Sequence, residues 1–149
     1  MADFTIKSRE QLVTLDENLI RVLILAKAWC GLVDFQISQG ARTIEQQRKY
    51  FQEGKSKVNP DSYATPAQLY AAAKHITGPG MPYSRAADLF VPGQEGGAYD
   101  KNALCYVAGV IRGAAMSLGV RVRWGGDFDR DGKLLEKGTF VDLPHIELD

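Results

Sequence analysis

Leu12, Leu15, Leu19, Val22, Leu23 and Ala26 recur at the three-to-four-residue spacing that gathers apolar side chains on one helix face. The pattern predicts one helix over 8–31, opened by a Ser8–Gln11 capping pair and stopped at Gly31. Residues 34–38 (DFQIS) alternate and predict a strand ended by Gln39-Gly40. Thr43 then caps a helix running through Glu45, Gln46 and Tyr50 to about residue 53. Residues 54–65 are polar, contain Asn59-Pro60 and read as a loop, and Pro66 opens a short Ala-rich helix to residue 74.

The second half follows the same rules. Residues 77–83 (TGPGMPY) are turn-rich, 86–91 predict a strand ended by Pro92-Gly93, and 94–100 read as a loop. A helix is predicted over 102–118 with Gly119 just past its end. Residues 120–124 and 145–148 predict strands, separated by Gly125-Gly126 and a loop over 127–139. Strands and helices mix without regular βαβ units, so the expected class is α+β, a small antiparallel sheet flanked by helices.

Composition narrows the function classes. A chain of 149 residues with 45% hydrophobic and 24% charged residues fits one ordinary domain with its own core. Its formal net charge of zero argues against binding nucleic acid through bulk positive charge. No apolar run reaches the roughly 20 residues of a membrane span, and MADFTIKSREQ lacks the basic and apolar blocks of a secretory signal. Cys30 and Cys105 sit in apolar helical stretches and read as buried free thiols, as in a protein made in a reducing cytoplasm.

Only two histidines are present, His75 and His145. With Asp88, each is read where a strand meets a loop. Two imidazoles and a carboxylate form a ligand set suited to catalytic zinc; packing or surface histidines are the alternative. Asp142, three residues before His145, is placed to act as a base. Asp127, Asp129 and Asp131 form D-x-D-x-D-G, the opening half of a calcium loop, although its twelfth position is Gly138. A solvated polar turn is the other reading. Glu147 is on the same strand face as His145, either as its partner or as an exposed edge carboxylate. Trp29 and the leucines of 12–32 read as core, Trp124 and Phe128 as core or, less often, cleft wall, and Lys55, Lys57 and Lys74 as ordinary solvated lysines rather than contacts to an anionic surface.

Five words in order carry a resemblance: QGART at 39–43, KHITG at 74–78, RAADL at 85–89, RWGGDF at 123–128 and DLPHIEL at 142–148. Together they resemble the LAS-type zinc peptidases of peptidoglycan, and within that group the single-domain phage L-alanoyl-D-glutamate peptidases. The resemblance implies the D-Ala-D-Ala-peptidase-like (hedgehog-like) fold. It implies that His75, Asp88 and His145 bind zinc, that Asp142 is the general base, and that Arg42 holds the substrate or stabilises the oxyanion. It implies a phage endolysin that cuts the L-alanoyl-D-glutamate bond of stem peptides. A D,D-carboxypeptidase or D-Ala-D-Ala dipeptidase, and a non-catalytic wall-binding module, are the rival readings. Residues 1–149 are expected to form one catalytic domain without a separate wall-binding domain. It would work as a monomer, made in the host cytoplasm and reaching the periplasm once a holin opens the membrane. Two departures stand out: Ala73 replaces the family's serine, and twelve residues separate His75 from Asp88, more than the family word has. The extra segment, about 79–84, reads as an inserted loop that shapes the cleft or sits idle.

Overall fold

The predicted helix over 8–31 is two helices in the computed structural model, which describes residues 3–149: α1 (Ile6–Leu12) and α2 (Glu17–Trp29). The break has a local cause. Thr14 Oγ1 donates to the Gln11 carbonyl at 2.6 Å, and Asp16 caps α2 by accepting from Asn18 N. Leu15, 1% exposed, leaves the helical path to bridge Ser84. The cap of α1 is Thr5; Ser8 lies inside the helix, where its hydroxyl accepts from Ile37 N at 3.0 Å.

The remaining elements are β1 (Gln36–Gln39), α3 (Ile44–Gln52), α4 (Pro66–Ala72), β2 (Ala86–Phe90), α5 (Lys101–Ser117), β3 (Val122–Trp124) and β4 (His145–Leu148), with one 3-10 turn at Pro60–Ser62. The strands form one sheet in the order β1-β2-β4-β3, antiparallel throughout. Thr43 and Gln46 complete a capping box on α3, and Gly119 takes φ +68° just past α5. β1 starts later than its alternation predicts because Asp34 turns back to pair with the buried Lys27 ammonium.

The apolar stripe of α2 (Leu19, Val22, Leu23, Ala26) shares one core with Leu104, Val107 and Ile111 of α5 and with Phe35, Ile37, Leu89 and Ile146 of the sheet layer. A second cluster of Leu69, Tyr70 and Ile76 backs α4. Trp124 belongs to the main core, its indole donating to the Leu143 carbonyl at 2.8 Å. Trp29 and Leu32 do not: they are 50% and 87% exposed, because Trp29 falls on the solvent side of α2, away from its buried Ala26, and Leu32 lies past the helix end. Cys30 is buried and Cys105 only half-buried; both are free thiols. No described helix is long and apolar enough to cross a membrane.

The extra segment at 79–84 is structural. Gly78 and Met81 close a turn, Tyr70 Oη donates to the Pro79 carbonyl at 3.1 Å, and Ser84 is hydrogen-bonded to Thr14 and Asp16 at 2.9 and 2.8 Å. It fastens the α1–α2 break to the sheet, and none of its residues lines the main cleft.

Candidate functional site

Asp88 lies within β2, the strand between β1 and β4, rather than at a strand end. Its cross-strand partner on β4 is His145, so the two side chains stand side by side on one face. On the other side, a bulge between Ile37 and Gln39 brings Gln39 opposite Asp88 and turns it toward the site. His75 is on no strand. It follows α4, in a segment held by a bridge between Arg42 and Ile76, with Arg42 N donating to the His75 carbonyl at 2.8 Å.

Each imidazole is oriented by a partner behind it. His75 Nδ1 donates to the Gly40 carbonyl at 2.8 Å, which leaves Nε2 facing inward. Gly40 is required there: a Cβ would lie 2.3 Å from Thr14 Oγ1 and 2.6 Å from the Gln11 carbonyl. His145 Nε2 donates to Glu147 Oε2 at 2.8 Å, which leaves Nδ1 facing inward. The inward atoms form a nearly equilateral triangle: His75 Nε2 to Asp88 Oδ1 3.3 Å, His145 Nδ1 to Asp88 Oδ1 3.2 Å, and His75 Nε2 to His145 Nδ1 3.3 Å. Tetrahedral bonds of about 2.0–2.1 Å place ligand atoms about 3.3–3.4 Å apart. The donor set and its spacing fit zinc.

The electrostatics also favour a cation. Burial raises the Asp88 pKa, but hydrogen bonds from His145 and His75 overcome it and hold the carboxyl well below its usual range. Burial opposes charge on His145, yet its bonds to Asp88 and Glu147 push that pKa up to about 9.

Asp142 arrives by a turn tied to the sheet. Asp142 N donates to the Gly125 carbonyl at 2.7 Å, and Gly125 N donates to the His145 carbonyl at 2.8 Å. Its half-buried carboxylate makes no salt bridge among the described residues. Burial first, and the neighbouring Asp88 second, push its pKa up. Arg42 is gripped by neutral acceptors, Gln47 Oε1 at 2.8 Å and Gln39 Oε1, and stacks on Tyr50 at 4.7 Å. Its Nε is buried without a partner. No carboxylate neutralises this guanidinium by a direct bond, so its positive charge stands uncompensated in the lining of the site. Gln47, wholly buried, is fixed in turn by bonds to Ser56 Oγ and the Val58 carbonyl at 2.9 and 2.8 Å.

These groups share a cleft of about 1160 Å³. Its lining includes Lys55, Lys57 and Val58 together with Phe128, Phe140 and Val141, and the Lys57 ammonium lies 6.0 Å over the Phe140 ring. Phe128 stacks on Phe140 at 5.7 Å and lies 5.6 Å from the His145 ring. Lys55 and Lys57 are solvated as expected but stand at this cleft, and Lys74, half-buried, also lines it. Glu147 is 5% exposed, a partner of His145 and not an edge carboxylate. The sequence reading missed Gln39, Gln47 and Tyr50, which support Arg42; only the Thr43 cap, which fixes the helix phase, hinted at which α3 side chains face inward.

At the edge of the cleft, whose lining includes Asp127 and Asp129, oxygens of Asp127, Asp129 and Asp131 approach within 4.8 Å of one another. Asp127 is 8% exposed and its Oδ1 has no hydrogen-bond partner, whereas Asp129 and Asp131 are exposed. Arg130 (φ +61°) and Gly132 (φ +80°) take left-handed backbone that coils the loop.

Residues 2–149 match the family model described as phage L-alanyl-D-glutamate peptidase. Among solved structures, the crystal structure of the Serratia marcescens L-Ala D-Glu endopeptidase ChiX is similar, with a TM-score of 0.65 and 26% identity over 98% of this chain and 89% of that one. No curated protein matches the chain.

Proposed function

The chain belongs to the phage L-alanyl-D-glutamate peptidases, and we propose that it hydrolyses that bond in stem peptides with His75, Asp88 and His145 as zinc ligands and Asp142 as general base. The activity itself, an endolysin peptidase of peptidoglycan, follows from the family and from the similar endopeptidase. The ligand assignment is supported by one observation above all, the triangle of inward atoms at 3.2–3.3 Å.

When bound, zinc supplies Lewis-acid polarisation of the scissile carbonyl and lowers the pKa of a bound water to about 7. The chain's own groups do the rest. Asp142, unpaired and with its basicity raised by burial and by Asp88, takes a proton from the attacking water and delivers it to the leaving amine of D-glutamate. Arg42, in the cleft lining, sets its positive charge against the oxyanion or a carboxylate of the substrate. Lys55 and Lys57 line the cleft where a stem peptide brings further carboxylates. With neutral overall charge, recognition rests on this cleft rather than on a basic surface.

Calcium is proposed as a second ion, held by Asp127, Asp129 and Asp131, and supported by the orphaned Oδ1 of buried Asp127. The working unit is proposed to be the monomer, reaching the periplasm from the host cytoplasm through a membrane opened by a holin. Calorimetric titration of chelator-treated protein tests both ions. One tight zinc site whose filling restores hydrolysis, and one calcium site filled by millimolar ion, are expected. Hydrolysis that survives chelation would overturn the zinc assignment, and no calcium heat at millimolar ion would remove the second site.

A further inference from the structure

Amide hydrolysis at this centre needs three ligands, a base and a cation; it does not by itself call for Glu147. Yet Glu147 is a carboxylate 5% exposed, and burying one is costly unless it is paired. It is paired on both oxygens. Oε2 accepts from His145 Nε2 at 2.8 Å, and Oε1 accepts from Arg123 Nε at 2.9 Å and from Arg123 Nη2. The sheet builds the arrangement: Glu147 stands two residues after His145, hence on the same strand face, and opposite Arg123 on β3. Arg123 is itself held, donating to the Phe128 carbonyl at 3.4 Å and lying 5.6 Å over the Phe128 ring. The two imidazoles are thus treated differently. His75 leans on a neutral backbone carbonyl, His145 on a carboxylate anchored from behind.

We propose that Glu147, clamped by Arg123, is a positioning residue that fixes His145 as a metal ligand. By taking the Nε2–H it makes Nδ1 the donor atom and sets the ring plane. The negative charge behind the ring makes Nδ1 a stronger donor. Arg123 occupies Oε1 and keeps the carboxylate from swinging into the centre as a competing ligand. The alternative is an ion pair that merely ties β3 to β4. This proposal rests on the zinc reading above.

The test is zinc affinity by chelator competition, with thermal unfolding of the chelator-treated proteins alongside. Glu147→Gln is expected to bind zinc about 10–100-fold more weakly than wild type, with most hydrolysis regained at saturating zinc. A merely structural pair would lower the unfolding temperature of chelator-treated protein and leave zinc affinity alone. A folded Glu147→Gln chain with wild-type zinc affinity therefore overturns the proposal. If Glu147→Gln does not fold, Arg123→Gln decides: weaker zinc binding supports the clamp, and unchanged binding refutes it. A wild-type chain that binds no zinc overturns the ligand set itself and this proposal with it, which separates the two failures.

Discussion

Asp142→Asn lowers the rate of peptidoglycan hydrolysis by about 100- to 10,000-fold, the range of a lost general base, and leaves zinc content unchanged. Asparagine keeps the shape of the side chain and removes its basicity. The carboxylate forms no salt bridge among the described residues, so no ionic partner is left stranded. Its pKa is raised by burial and by Asp88, so the ionised form is strained in the folded chain. A carboxyl whose folded pKa exceeds its unfolded one weakens the fold as pH rises through that interval. At neutral pH the chelator-treated variant therefore unfolds at the same temperature as wild type or higher. Loss of activity with an intact or raised unfolding temperature is the signature of a base. Unchanged activity refutes the assignment, and a large fall in unfolding temperature turns Asp142 into a structural residue.

Gly125→Ala is expected to lower activity by about 100-fold or more, the scale of a displacement near 1 Å at a catalytic group. Gly125 touches nothing chemical, yet its added Cβ would lie 1.9 Å from the Asp142 carbonyl oxygen and 2.8 Å from the carbonyl carbon. Those are backbone atoms and cannot rotate away. The same residue bonds to Asp142 N and to the His145 carbonyl, so any shift moves base and ligand together. Overpacking of this kind also costs about 1–3 kcal/mol of stability. Gly113→Ala in α5 is the control. Its Cβ meets only Trp29, at 4.0 Å, and a helix-interior Gly→Ala change gains about 0.5–1 kcal/mol. Steady-state rates and unfolding temperatures of both variants check the contrast; wild-type activity in Gly125→Ala would show that the turn does not set Asp142.

Much of this geometry was legible in the letters because local chemistry fixed it. The Thr43–Gln46 cap set the start of α3, Gly119 ended α5, and β4 begins at His145 as predicted. The ordered words around His75, Asp88, Asp142 and His145 marked residues that the fold brings to one cleft. What the letters hid is long-range. Leu15 reads as a helix position until Ser84, distant in sequence, pulls it out. The bulge at β1 exists only through pairing with β2, so Gln39 carried no local sign of turning toward Arg42. Gln47 sits in a polar helix, and its burial follows from contacts with Ser56 and Val58 across a loop. Trp29 and Leu32 misled because apolar character does not say which side of a helix end faces water.

Mass spectrometry of the products released from purified peptidoglycan, by protein carrying one zinc per chain, decides which bond this centre cuts and whether zinc is needed. Stem peptides that begin at D-glutamate, with L-alanine left on the glycan, are expected, and no such products after chelation. Release of D-alanine alone, or the same products from zinc-free protein, would contradict the proposed function.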